Sequence, residues 1–395
     1  MELNHMQSVA VEKYINWYKH PSKRIRPWFE ISGPAGSGKT TLVKYIMKEL
    51  GISDEAVAFM AYVGKATLAL RLSGVNAKTI HSSIYDLVSK YVRDEDGHVI
   101  TEHGRPKVIQ TFEKKIALPD VWKQLVIDEG GMVGDKIGTD LLSYGIPSLF
   151  LGDLKQLPPV MSKRMFLEHP DVELNEIMRQ EKDSPIIYLS QLATHGIPIP
   201  YGTYGGGECR VIRHHEMTDE DVASSDIVIC GTNNMRDSIN MYIRNNIQKI
   251  DTPYITPDDK LICRQNKWDM LLNDDIAMVN GLIGYVDNIY RETRSTAMME
   301  IDFRPEFCKD EKFKRIPINH KYPFLPYTER RMSNPKYSGE KVLMEFGSCI
   351  TCHLAQGSQY DTVLVYVENV SDSLYFRQWL YTAITRARKK LILVI

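Results

Sequence analysis

Apolar residues along the chain recur in two rhythms. Trp28-Phe-Glu-Ile-Ser32 is a short β-rich run, and after a glycine-rich turn the stretch Thr40 to Leu50 places Leu42, Val43, Ile46, Met47 and Leu50 at helical spacing. Short runs return at Leu125-Val-Ile127 and Ser148-Leu-Phe-Leu151, closed by Asp128-Glu129 and by Gly152-Asp153. Apolar runs that end in acids predict buried parallel strands whose carboxyl ends face a ligand. The second half repeats the style at Asp226-Ile-Val-Ile-Cys230, Thr362 to Val367 and Lys390 to Ile395. Two α/β units are expected, 1–173 and 174–395, with the Gly- and Pro-rich stretch Gly196 to Gly207 as a loop after the helix that joins them.

Two stretches break the rhythm. Around Asp96-Gly97, a strong turn dipeptide, β-rich flanks predict a hairpin inserted at about 86–112. A second insertion, about 288–345, contains the stretch Asp302 to Lys341 with ten Lys/Arg against six Asp/Glu and seven interleaved aromatics. At that density the aromatics read as a small core, and the basic excess as a surface for phosphates.

Composition removes whole classes. With 395 residues, 43% of them hydrophobic, and 49 Lys+Arg against 50 Asp+Glu, disorder, collagen-like repeats and a bare coiled coil are excluded. No window reaches a membrane span, and the first residues lack the pattern of a secretory signal, so a cytoplasmic protein is expected. Six cysteines suit free thiols, and Cys349-Ile-Thr-Cys352 has no second pair to complete a metal site. A net charge of -1 neither favours nor excludes nucleic acid, which depends on where basic residues cluster.

The chemistry enters with Gly33-Pro-Ala35-Gly36-Ser37-Gly38-Lys39-Thr40, a complete P-loop between strand and helix. Its glycines let backbone N–H groups converge on phosphates, Lys39 meets the β/γ-phosphates, and Thr40 offers a hydroxyl to Mg²⁺, with Thr41 beside it. Asp128 suits the same metal and Glu129 the attacking water. These motifs imply nucleoside triphosphate hydrolysis and nothing narrower.

The remaining motifs narrow it. Gly152-Asp153-Leu-Lys-Gln156 resembles the third motif of superfamily 1 helicases, with Gln156 sensing the γ-phosphate. Leu3-Asn-His-Met-Gln7 resembles the motif that reads adenine, Lys78-Thr79-Ile-His81 a strand-contacting motif, and Leu174 to Gln180 the motif with a first arginine finger, Arg179. Thr351-Cys-His353-Leu-Ala-Gln356-Gly357-Ser-Gln359 resembles motif V, and Thr385-Arg386-Ala-Arg388 motif VI with a second finger, Arg386.

In this order they resemble the 5′-to-3′ DNA helicases of superfamily 1, of the RecD and phage Dda type. The resemblance implies two RecA-like P-loop domains, a β-hairpin insertion in the first and a small β-barrel-like insertion in the second. It implies ATP and Mg²⁺ as cofactors, and single-stranded and forked DNA as partners of a monomer, with single-strand-binding or replisome proteins as further partners. Gly33, Ala35, Gly36, Ser37, Gly38, Gly357, Gln359 and Gln7 would hold the nucleotide. Tyr62, Lys65, Thr79, His81, His98, Asn233, Thr351 and His353 would contact DNA, His98 on the hairpin that in relatives splits the duplex.

Three features depart from the family: Ala61-Tyr62-Val63-Gly64-Lys65 replaces Ala-Pro-Thr-Gly-Arg, Gln359 replaces a glutamate, and the segment between the α/β units is short. Two alternatives stay open. One is a nucleic-acid-stimulated ATPase acting on RNA or remodelling protein–DNA complexes. A more distant one is a P-loop kinase, which would not need a second α/β unit.

Overall fold

The computed structural model describes residues 3–34, 36–94, 96–102, 105–106, 108–158, 164–175, 184–272, 276–293, 298–308, 310–332 and 341–395. Six parallel strands make a first sheet, in the order Val172–Glu173, Trp28–Ser32, Ser148–Gly152, Gln124–Asp128, Val57–Ala61, Ala77–Thr79. Both faces are covered, which is why these strands read as apolar runs rather than alternating ones. On one face the helices His5–Lys19 and Lys39–Glu49 bring Tyr14, Leu42, Val43 and Ile46 against Ile31, Val126 and Leu149. On the other, Ile80, Ile84, Leu141 and Phe166 pack on Met60, Ile127 and Phe150.

The second sheet runs Gly202–Tyr204, Cys209–Ile212, Ala387–Val394, Tyr360–Tyr366, Ile227–Cys230, Cys349–Thr351, parallel except for its first edge strand. Helices Pro185–His195 and Leu374–Ile384 fill one face. Helix Asn233–Tyr242 covers the other, where the Asn240 amide donates to the Cys349 carbonyl and accepts from its N–H, both at 2.8 Å. Cys230, Cys349 and Cys352 are buried free thiols.

Each insertion is anchored differently. Strands Tyr85–Tyr91 and Val108–Lys114 form an antiparallel arm that pairs only with itself, tipped by a turn in which Gly97 takes φ 85° and the Asp94 carboxylate accepts from the N–H groups of Asp96 and His98. The second insertion draws strands from both sides of residue 288: Phe313–Asn319, Met298–Pro305, Ile283–Thr293, Lys260–Cys263 and Met344–Phe346 are antiparallel neighbours. A bridge from Ile318 to Val342 brings the two edges together, closing the sheet into a small barrel around Val286, Ile301, Phe303, Phe313 and Met344.

Of the aromatics between Asp302 and Lys341, Phe303 and Phe313 lie in this core and Phe307 and Phe324 pack against it. Part of the basic excess is paired: Arg304 and Lys312 with Asp287 and Arg315 with Glu300, where neighbouring strands place acids beside them, and Arg330 with Asp237 of helix Asn233–Tyr242. Among the described residues no helix is long and apolar enough to cross a membrane.

Candidate nucleotide and nucleic-acid site

Strand Trp28–Ser32 delivers the chain into the P-loop, and helix Lys39–Glu49 leaves it. Gly36 and Gly38 take φ of 78° and 77°, a left-handed backbone that side chains disfavour. This aims the first N–H groups of the helix into the cleft, where they and the helix dipole favour an anion. Lys39 Nζ donates to the carbonyls of Gly33 at 2.6 Å and Pro34 at 2.9 Å, so the ammonium stands over the loop. Gln7 is buried and reciprocally caps its own helix with Asn4, while its Nε2 donates to the Ser37 carbonyl at 3.2 Å. Gln7 therefore supports the loop from behind. Ala35 lies outside the described residues.

Asp128 ends the central strand Gln124–Asp128, and Glu129 follows with φ 53°, a left-handed conformation rare for a side chain of this size. Burial makes both carboxyls harder to ionise; Lys39 counters this at Asp128, whereas Asp128 adds to it at Glu129, which Arg386 and Lys39 pull back. Next along the sheet, buried Asp153 accepts from the Tyr381 hydroxyl at 2.6 Å. Gln156 is buried with its side-chain oxygen unpartnered among the described residues.

Arg386, 3% exposed, comes from the second sheet, where its guanidinium donates to the Thr382 and Ser358 carbonyls and the Thr385 hydroxyl. Gly357 takes φ 72° and lets motif V lie against the first sheet's next helix, since a Cβ there would sit 3.0 Å from that of Ala66. One cleft of about 1260 Å³ is lined by Gly36, Gly38, Lys39, Thr40, Thr41, Asp128, Glu129, Gln156, Gly357, Gln359 and Arg386. Gly33 and Ser37 lie just beneath it, packed together: a Cβ on Gly33 would meet Ser37 Oγ at 2.7 Å. Arg179 falls outside the described residues.

Two contacts across the cleft were not anticipated. Leu157, from the loop after strand Ser148–Gly152, is buried in the core of the second sheet; its N–H donates to Thr382 Oγ1 at 2.9 Å and its carbonyl accepts from Gln356 Nε2 at 3.1 Å. Tyr381 and Asp153 are the other pair. The sequence signal for Leu157 is an apolar residue directly before two prolines.

Most of the expected DNA contacts fall at the carboxyl ends of strands in the two sheets. Tyr62 and Thr79 follow adjacent parallel strands of the first sheet, and Tyr62 lies edge-on to His81 at 6.2 Å between rings; His81 in turn meets Phe112 of the arm at 5.4 Å. The Thr79 hydroxyl caps helix Ile80–Ile84 by accepting from the Ser82 N–H. Asn233, Thr351 and His353 likewise follow adjacent strands of the second sheet. Burial lowers the proton affinity of His81 and His353, favouring neutral rings. His98 is exposed at the arm's tip, 3.7 Å from Asp94. Lys65 departs from this set: it projects into the cleft, donating to the Tyr360 hydroxyl at 2.6 Å.

Comparison with known proteins agrees with this geometry. Residues 4–199 match the AAA domain family, and residues 346–394 the UvrD-like helicase C-terminal domain. The chain is 25% identical to the ATP-dependent DNA helicase Dda of Enterobacteria phage T4, over 91% of this chain and 92% of that one. It is 23% identical to the ATP-dependent RecD2 DNA helicase of Deinococcus radiodurans, over 91% of this chain and 46% of that one. The chain is homologous to the Dda and RecD2 helicases.

An uncharacterised Methanocaldococcus jannaschii protein is 26% identical over 92% of this chain and 36% of its own length, so the chain spans less than half of two of these relatives and nearly all of Dda. In fold, Pif1 helicase from Candida albicans superposes with TM-score 0.55 at 16% identity, covering 100% of this chain and 94% of that one. Bacteroides Pif1 in complex with ADP-AlF3 and single-stranded DNA gives 0.54 at 16% identity, covering 100% and 92%. The two sheets with their hairpin and barrel are thus a Pif1-like helicase fold.

Proposed function

We propose that the chain is an ATP-driven motor that moves 5′ to 3′ along single-stranded DNA and separates duplex strands. The observation that carries it is a P-loop on one sheet facing Arg386 from the other across a single cleft. A cation that arrives from a second unit completes the transition-state charge only when the cleft closes, which ties hydrolysis to relative motion of the sheets. Kinship with Dda along nearly its whole length supports DNA unwinding, and the RecD and Dda resemblance supplies the polarity.

Thr40 and Asp128 offer the hard oxygen donors that Mg²⁺ prefers, and the unpartnered Gln156 oxygen fits the same polar cleft. Held there, a metal would supply charge neutralisation at the phosphates. Glu129, whose burial favours taking up a proton, orients the attacking water; Lys39 and Arg386, with Arg179 on sequence grounds, neutralise the γ-phosphate. Single-stranded or forked DNA lies along the strand ends that carry Tyr62, Thr79, His81, Asn233, Thr351 and His353, reached through groups that do not read sequence.

The test is the steady-state ATPase rate of wild type and Lys39→Ala, with and without oligo-dT or oligo-rU, followed by unwinding of 5′-tailed and 3′-tailed duplexes. The reading expects strong stimulation by oligo-dT, lost in the variant, and unwinding only from the 5′ tail. A rate indifferent to both polymers would sink it; preference for oligo-rU would turn it to RNA.

A further inference from the structure

Lys65 lies where the first sheet, the second sheet and the barrel meet. It stands in the first turn of helix Gly64–Leu72, and that turn is clasped from two sides. A Cβ on Gly64 would sit 2.5 Å from Val279 Cβ of the barrel, and one on Gly357 would sit 3.0 Å from Ala66 Cβ. Held this way, the Lys65 side chain enters the cleft that holds the P-loop and Arg386, and its ammonium reaches Tyr360 of the opposite sheet.

Its surroundings are unusual for a cation. Among the described residues no carboxylate is bonded to Lys65, and the acid whose field reaches it, Glu306, is already ion-paired with Lys260. Among the described residues Arg386 too is hydrogen-bonded to neutral oxygens, though its field reaches the Glu129 carboxyl. Burial pulls the Lys65 ammonium down to about 8, and both Lys260 and Arg386 push the same way while Glu306 opposes. Two half- to fully buried cations lining one cleft from its two sides, each on a neutral acceptor, are completed by an anion rather than by each other. Tyr62, three positions earlier, turns the other way, toward His81 and the arm.

We propose that Lys65 is a ligand of the nucleotide's phosphates, its ammonium passing from the Tyr360 hydroxyl to the triphosphate as the cleft closes. This rests on reading the cleft as an ATP site, and it takes Lys65 off the nucleic-acid surface.

The experiment is equilibrium binding of a fluorescent ATP analogue, and of labelled oligo-dT without nucleotide, to wild type, Lys65→Met, Tyr360→Phe and Lys39→Ala. Lys65→Met is expected to weaken the ATP analogue about tenfold or more, the scale of a lost charge-assisted bond, and to leave oligo-dT binding within about twofold. Tyr360→Phe frees the ammonium from its resting partner, so ATP binding stays as tight or tighter; this variant carries the test if Lys65→Met does not fold. Unchanged ATP binding in Lys65→Met, weaker oligo-dT binding with ATP binding intact, or weaker ATP binding in Tyr360→Phe each overturns the proposal. If Lys39→Ala loses ATP while Lys65→Met keeps it, the ATP site stands and Lys65 alone is removed from it. A wild type that binds no ATP overturns both readings.

Discussion

The barrel and the hairpin arm are insertions of the same chemical type, antiparallel strands added to a parallel-sheet fold, yet they are held in opposite ways. The barrel closes on itself and buries its own core, and beneath it Arg236, Arg264 and Arg330 converge on the buried Glu345 carboxylate, with Asp237 between Arg236 and Arg330. Arg236 and Asp237 belong to helix Asn233–Tyr242, so this network fixes the barrel to the second sheet. The arm has two strands, and Leu87, Tyr91 and Phe112 stay 44–57% exposed. A two-stranded ribbon is marginal on its own; this one is held at its root, where the Tyr85 hydroxyl donates to Asp140 and that of Tyr144 to the Lys115 carbonyl. One insertion is tied to its sheet by buried ion pairs, and the other by a few hydrogen bonds at its root.

The contrast breaks most sharply at Glu345. Glu345→Ala leaves three guanidiniums facing one another in a buried site, with an expected loss of roughly 3–5 kcal/mol in urea unfolding. Its counterpart on the arm, Glu113→Ala, removes an exposed pair with Lys90 and should cost about 1 kcal/mol or less. Phenylalanines give the next comparison. Phe303→Ala opens the barrel core at a cost of about 3–5 kcal/mol. Phe112→Ala should stay within about 0.5 kcal/mol, and equal losses would show that the arm has a hidden core.

Gly97→Ala tests the arm's tip. No atom lies within 4 Å of the added Cβ, so the cost, roughly 1–2 kcal/mol, is the left-handed backbone alone and should appear in hydrogen exchange of the tip before it appears in global unfolding.

The smallest effect is in acid. Burial would raise the Asp302 carboxyl, but donors from Asn288, Tyr290, the Arg315 N–H and Lys312 outweigh it and lower it to about 2. A carboxyl held below its unfolded value of about 3.9 adds stability that is complete above that pH and lost as pH falls toward 2. Asp302→Asn should therefore flatten the loss of barrel stability between about pH 4 and 2, followed by circular dichroism.

What could be read in advance was local. Gly33 to Thr40, Asp128 and Glu129 declare themselves because each motif lies within a few residues and the strand before it sets its direction. Asp153 with Tyr381, and Leu157 with Thr382, were hidden because the partners lie 228 and 225 positions apart. Motif resemblance places the loop of Lys65 correctly at a strand end but says nothing of which way the helix's first turn faces; Gly64 against Val279 decides that. The barrel's extent was missed for a related reason. Lys260–Cys263 and Ile283–Thr293 are runs like any other, and only pairing with Met344–Phe346 and Met298–Pro305 reveals them as its walls.

Leu157 constrains the mechanics of the whole molecule. A leucine seated in the opposite core acts as a bearing: the sheets can rotate about it, but they cannot part without pulling it into water, at about 2 kcal/mol for the side chain alone. Because Gln156 precedes it directly, a pull on that amide acts next to the point where the two sheets are joined.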